Sequence, residues 1–152
     1  MAVHNRMDPC TTRQKLRSTG LVGFWSQIAS TPLVELISQS QMDVLIFDFE
    51  HGLMDLDLLC LPLLHSRGIA PLARLQTPDP TQVPKILDQG FLGIVAPNIS
   101  SADQLAKLVR ATRYKPLGAR GVGFSLANCW GQELDRQLLF KPMVIGMIET
   151  KI

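Results

Sequence analysis

The feature that most constrains this chain is a recurrence of short apolar runs that alternate with helical patterns. The runs are Leu21-Val22-Gly23-Phe24-Trp25, Asp43-Val44-Leu45-Ile46-Phe47-Asp48, Ala70-Pro71-Leu72-Ala73-Arg74-Leu75, Phe91-Leu92-Gly93-Ile94-Val95-Ala96 and Pro142-Met143-Val144-Ile145-Gly146-Met147-Ile148. Segments this short and this uniformly apolar read as strands buried on both faces, the pattern of parallel sheets. Thr31-Pro32 offers an N-cap and a proline at the first helical position, and Leu33, Leu36 and Ile37 behind it fall on one helix face. Leu56–Ser66 reads as helical, with Pro62 disturbing it. Asp79-Pro80 repeats the start signal before Val83, Ile86 and Leu87, and Pro84 predicts a bend or a late start there. Ser101-Ala102-Asp103-Gln104 is a capping box ahead of Leu105, Leu108 and Val109. Tyr114–Leu139 is polar and glycine-rich, without periodicity, and reads as loop.

Strands alternating with helices predict an α/β chain with a parallel sheet. Residues 20–152 form the folded domain in this reading, and residues 1–19 a leader or short first helix. A (β/α)8 barrel takes about 250 residues. The 152 residues here carry five strand runs and stop soon after the fifth, at Lys151-Ile152. Pattern alone leaves two architectures open, a five-stranded open sheet or the front portion of a barrel.

Composition narrows the function classes. At 46% hydrophobic and 18% charged, the chain is too apolar to be disordered. Fifteen Lys+Arg against 13 Asp+Glu leave a net charge of +2, without the concentrated basic face of a nucleic-acid binder. No apolar stretch reaches the ~20 residues of a spanning helix, so no membrane association is expected. Cys10, Cys60 and Cys129 are far apart and form no CxxC pair, which argues for reduced thiols and a cytoplasmic setting.

In parallel β/α proteins the chemistry gathers where strands end and loops begin. Trp25 and Gln27 follow the first run, Asp48, Glu50 and His51 the second, Arg74 ends the third, Pro97-Asn98 follow the fourth and Glu149 the fifth. An acid, a base and a cation on one rim could bind a metal through a carboxylate, hold an oxyanion with arginine and move a proton with histidine. Each has a plainer reading: a histidine in ordinary loop hydrogen bonds, a surface arginine, a solvated glutamate. Gly118-Ala119-Arg120-Gly121-Val122-Gly123 is not a dinucleotide loop, because it does not join a strand to a helix start. It reads as a flexible active-site loop, with Arg120 facing solvent or substrate.

Taken together, Val44-Leu45-Ile46-Phe47-Asp48-Phe49-Glu50-His51-Gly52, Arg110-Ala111-Thr112-Arg113-Tyr114, Gly118-Ala119-Arg120-Gly121-Val122-Gly123 and Met147-Ile148-Glu149-Thr150 resemble the HpcH/HpaI aldolase/citrate lyase family, in particular its metal-dependent class II pyruvate aldolases. The resemblance implies a (β/α)8 TIM barrel, of which this chain holds about the first five units. It implies a divalent metal (Mg2+, Mn2+ or Co2+) and the cleavage of a small hydroxy-oxo acid into pyruvate and an aldehyde. On the matching positions, His51 would be the catalytic acid/base and Asp48 the carboxylate orienting it. Arg74 would contact the enolate oxygen and carboxylate of pyruvate, and Glu149 would be the first metal carboxylate. Trp25, Asp88 and Arg120 would stand at pocket or subunit-contact positions. Met147 departs from the glutamine usual in the family.

The second metal carboxylate comes, in the family, from a loop after a sixth strand, so the chain is expected to be C-terminally truncated and to hold half the metal cage. A homo-oligomer is expected of a full-length form. Two alternatives remain: a non-catalytic fragment or half-barrel that needs a partner's strands, and citrate-synthase-like or coenzyme A thioester lyase chemistry on the same barrel.

Overall fold

A computed structural model of the chain describes residues 9–53 and 61–150. In chain order the elements are α1 (Pro9–Ser18), β1 (Gly23–Ser26), α2 (Thr31–Ser38), β2 (Val44–Asp48), α3 (Leu61–Ser66), β3 (Ala70–Arg74), a 3-10 turn (Pro80–Gln82) leading into α4 (Val83–Asp88), β4 (Gly93–Ala96), α5 (Ala102–Thr112), a 3-10 segment (Leu126–Gly131), α6 (Leu134–Leu139) and β5 (Met143–Gly146). The strands lie side by side in the order β1-β2-β3-β4-β5, and each neighbouring pair is parallel.

That order decides between the two architectures left open by sequence. In a doubly wound sheet the strand order reverses, which places helices on both faces. Here spatial order follows chain order throughout, and crossovers of one hand then carry successive helices to the same face. Leu45, Phe47, Ala73, Ile94 and Ala96 point to that face and pack against Val34 and Ile37 of α2, Leu61 and Leu64 of α3, Val83, Ile86 and Leu87 of α4, and Leu108 of α5. The opposite face carries Val44, Ala70, Leu72, Val95 and Met143, a separate apolar cluster. The chain is five consecutive units of a (β/α)8 barrel, with the helices outside and the second cluster on the barrel's inner side.

Local physics explains where the elements fall. Ser30, not Thr31, caps α2: it is extended (φ −145°) and its hydroxyl accepts from the Leu33 N–H, so Pro32 occupies the second helical position. Asp79 caps as expected, its Oδ1 accepting from the Thr81 N–H at 2.9 Å, and Pro84 then delays the α-helix behind one 3-10 turn. The Ser101 hydroxyl caps Gln104 N–H, but the Gln104 side chain reaches back to Ser100 N–H, one residue earlier than a capping box would have it. Tyr114–Leu139 is not all loop: it contains the second 3-10 segment and α6. The Leu61–Ser66 part of the helix expected over Leu56–Ser66 is present, and residues 54–60 lie outside the described part of the chain.

α1 ties the entry ends of two strands together. Arg13 donates to the carbonyls of Lys141 and Pro142 ahead of β5, and Lys15 pairs with Asp43 ahead of β2. Among the described residues, no helix is long and apolar enough to cross a membrane.

Phe91 anchors the outer core. It is 1% exposed and meets Phe47 and Phe49 edge to face, with ring centres 5.7 and 5.9 Å apart. Phe91→Ala is expected to destabilise the fold by about 3–5 kcal/mol, the usual cost of emptying such a site, measured as a lowered urea midpoint with an unchanged m-value.

Candidate active site

The parallel pairing of β2 with β3 sets Asp48 directly beside Arg74, on the inner face and at the last residue of both strands. Both are buried, 1% and 7% exposed. The Arg74 Nε–H donates to Asp48 Oδ1 at 2.9 Å. The same oxygen accepts the main-chain N–H groups of Glu50 and His51, at 3.0 and 3.1 Å, and so closes the turn that follows β2. Oδ2 accepts the Trp25 indole N–H at 3.1 Å. Trp25 lies within β1 rather than after it, and its ring also faces the Arg74 guanidinium, 5.3 Å from centroid to Cζ.

Burial is the largest single influence on the Asp48 carboxyl and works against its ionisation. The His51 N–H, the Trp25 indole, the Glu50 N–H and the Arg74 charge together outweigh it and hold the group below the usual carboxylate range. The turn also depends on Gly52. Its N–H bonds to the Asp48 carbonyl at 3.0 Å, and a Cβ there would run into that carbonyl and come within 2.7 Å of the Gln27 carbonyl.

Glu50 and His51 project from this turn. Glu50 Oε2 lies 2.8 Å from Arg74 Nη2, a charge contact out of line for a hydrogen bond, and Oε1 lies 3.9 Å from His51 Nε2. The imidazole itself is 65% exposed. Asp48 therefore reaches His51 through its main chain, whereas sequence reasoning had Asp48 orienting the ring. The reason is supply: three donors occupy Oδ1 and the indole occupies Oδ2, and the carboxylate that faces the ring is Glu50.

Glu149 stands further along the same rim. It follows β5, is exposed, and accepts the Asn98 main-chain N–H on Oε2 at 2.7 Å. Asn98, just past β4, adopts φ +51°, the left-handed conformation that asparagine tolerates better than most residues, and this aims its N–H at the carboxylate. Sequence reasoning marks Asn98 only as a strand-end residue; an asparagine two residues past a strand, behind Pro97, is the available signal.

Arg120 and Asp88 are elsewhere. Asp88 ends α4, where the chain is about to enter β4, at the end of the sheet opposite the rim. Arg120 is 2% exposed, bonds Asp88 Oδ1 at 2.6 Å and lies over the Tyr114 ring at 4.7 Å. It faces neither solvent nor the rim of its own chain: Asp88 holds Nη2 and the Tyr114 ring lies under the guanidinium, while its buried Nε and Nη1 have no hydrogen-bond partner. Cys129 is a free thiol in the 3-10 segment.

For a divalent ion, the donor set on this rim offers one fitting group. The exposed Glu149 carboxylate has one oxygen steadied by Asn98, and a magnesium-type ion takes one or two carboxylates beside substrate oxygens and water. Among the described residues, no three His, Cys, Asp or Glu side chains gather as a ready-made metal cage.

A sheet wound in chain order, with acid, cation and imidazole at the exit ends of its strands, defines the class: a β/α-barrel protein whose polar site is built from strand-end loops. Residues 21–151 match the model of the HpcH/HpaI aldolase/citrate lyase family, and the chain belongs to that family. It is 34% identical over 117 residues to a 5-keto-4-deoxy-D-glucarate aldolase of Salmonella paratyphi A, covering 75% of this chain and 46% of that protein. Among solved structures it resembles an HpcH/HpaI aldolase/citrate lyase family protein of Burkholderia cenocepacia, with TM-score 0.80 and 27% identity over 92% of this chain and 60% of the other. It also resembles a citrate synthase, with TM-score 0.72 and 25% identity over 90% of this chain and 55% of the other. The chain thus spans about half the length of the curated relatives it matches.

The buried pair gives a signed pH prediction. A carboxyl with a depressed folded pKa contributes stability above its unfolded value, near 3.8, and loses that contribution as the pH falls through its folded value. Asp48→Asn is expected to cost about 1.5–3 kcal/mol near pH 7, since it weakens the charge-assisted hydrogen bonds from Arg74, Trp25 and the turn while Glu50 remains beside Arg74. The deficit should shrink below about pH 4, as read from urea unfolding of both proteins across pH 3–7.

Proposed function

We propose that this chain carries the acid/base and cationic half of a carbon–carbon lyase site that cleaves a hydroxy-oxo acid into pyruvate and an aldehyde. The observation that carries the reading is the buried Asp48–Arg74 pair at the exit ends of β2 and β3, with its guanidinium fixed beside the His51 turn. Membership in an aldolase and lyase family supports it.

Retro-aldol cleavage requires a base for the hydroxyl proton and a cation for the enolate that is left. In this proposal the His51 imidazole, exposed on the rim, takes the hydroxyl proton. The carbon–carbon bond breaks and its electron pair moves into the oxo group. Arg74 faces the resulting enolate oxygen and the adjacent carboxylate. His51 then returns the proton to carbon, giving the methyl group of pyruvate. Asp48 keeps Arg74 from turning away and shapes the turn that carries His51, while Trp25 covers the guanidinium face. Glu149 would hold a divalent ion, which when bound polarises the oxo group as a Lewis acid.

A second reading, condensation of an oxo acid with an acetyl group, draws support from the citrate synthase among the structural neighbours. Both readings use the same enolate chemistry and differ in the electrophile.

The test is a chimera of this chain with the C-terminal half of the Salmonella relative, assayed with Mg2+ or Mn2+ for pyruvate release from 5-keto-4-deoxy-D-glucarate. His51→Ala is expected to lower kcat about 10²–10⁴-fold, the usual worth of a positioned base. Arg74→Ala is expected to lower it about 10²–10³-fold, the usual worth of one oxyanion donor. A His51→Ala chimera working at the full rate would remove the assignment.

A further inference from the structure

We infer that Glu50 is a positioning residue, a single carboxylate that fixes the rotation of the Arg74 guanidinium and holds it in register with the His51 ring. The inference deepens the aldolase reading and rests on it for its catalytic meaning, although the positioning itself is a property of the fold. Neutralising Arg74 does not explain Glu50, because Asp48 already supplies a buried counter-charge at 2.9 Å. A second carboxylate, only 15% exposed, adds a desolvation cost with no charge left to balance. What it adds is geometry.

Asp48 grips Arg74 at Nε, and Trp25 covers one face of the guanidinium. A single bond at Nε still lets the guanidinium pivot about the N–H···O line and exchange its two Nη groups by rotation about Nε–Cζ. Glu50, 2.8 Å from Nη2, gives the group a second point of attachment, which stops the pivot and slows the rotation, so that Nε and Nη2 are both held and the plane keeps one tilt. Its other oxygen, 3.9 Å from His51 Nε2, faces the proton-carrying ring of the same turn. Before proton transfer the cluster holds two carboxylates against one cation. Once His51 has taken a proton it holds two against two, and Glu50 is the carboxylate nearest the new charge.

The test uses the 15N-labelled full chain. In the unsubstituted protein the Nη groups of Arg74 are expected to give separate resonances. In Glu50→Gln and Glu50→Ala they should merge, while the Trp25 indole N–H signal stays in place and reports that the Asp48 site is intact. The His51 ring signals should shift in both variants. Separate Arg74 Nη signals that persist in Glu50→Ala overturn the proposal. A second measurement uses the chimera with the C-terminal half of the Salmonella relative and oxalate, a planar dianion shaped like the pyruvate enolate, with Mg2+ present. Glu50→Gln should weaken its binding about tenfold, and should weaken it no further in an Arg74→Ala background. An equal loss in that background shows that Glu50 does not act through Arg74 and also overturns the proposal. If the unsubstituted chimera fails to bind oxalate, the aldolase reading falls, and the Arg74 resonances still decide the role of Glu50.

Discussion

Parallel register between β2 and β3 places Asp48 and Arg74 at the same level of the sheet, facing the same way, with their side chains in contact. Most of the rim depends on that alignment. The Asp48 carboxylate gathers the Arg74 guanidinium, the Trp25 indole and two main-chain N–H groups. Each draws a different element to one point: β3, β1 and the turn after β2. Two buried charged groups would be costly apart. Paired and fully hydrogen-bonded on the carboxylate side, they instead make the position of the guanidinium a consequence of strand pairing. A site built this way inherits the rigidity of the sheet, while the groups that would do chemistry, His51 and Glu149, remain exposed on the loops above it.

The winding of the chain explains why these groups share a rim at all. With strand order equal to chain order, every crossover begins at the same end of the sheet, so the residues following β1, β2, β3, β4 and β5 form one row. The outer face is closed by α2 to α5 over a large apolar core. The inner face holds a smaller cluster in which Leu72 and Met143 are buried while Ile46 and Ile145 are only partly covered. Polar residues on the inner face appear only at the exit ends, Asp48 and Arg74. The switch from apolar to charged along a single strand marks where the packed interior stops and the site begins.

Much of this was legible in the sequence because it follows from periodicity and position. Four of the five strands fall inside the apolar runs, β1 runs one residue past its own to Ser26, and Pro84 does delay its helix. The rim residues were found by the rule that strand ends carry function. What escaped was decided by contacts between segments. Ser30 outcompetes Thr31 as cap because its backbone is extended and its hydroxyl reaches the Leu33 N–H, a one-residue choice that two adjacent hydroxyl residues leave open. α6 lies where a short amphipathic stretch, Leu134–Leu139, follows a kinked 3-10 segment in which Cys129 and Trp130 take positive φ, so no regular period announces it. Arg120 was read as a loop arginine because its partners, Asp88 and Tyr114, are respectively 32 and six residues away in the chain.

The division of labour between the two carboxylates of the Asp-Phe-Glu-His turn follows from the same geometry. Asp48 is the last residue of β2 and points to the inner face, so it meets whatever β1 and β3 present at that level. Glu50 is two residues further on, beyond the strand, where the chain turns back through the Gly52 N–H to the Asp48 carbonyl and reaches Gln27 through the Leu53 N–H. A side chain leaving the turn there approaches Arg74 from the rim side rather than from within the sheet, and meets Nη2 instead of Nε. The two acids therefore hold different atoms of one guanidinium, and only the outer one is placed to face the imidazole as well. Spacing the acids two residues apart across the end of a strand is what converts a buried ion pair into a link between a guanidinium and an imidazole.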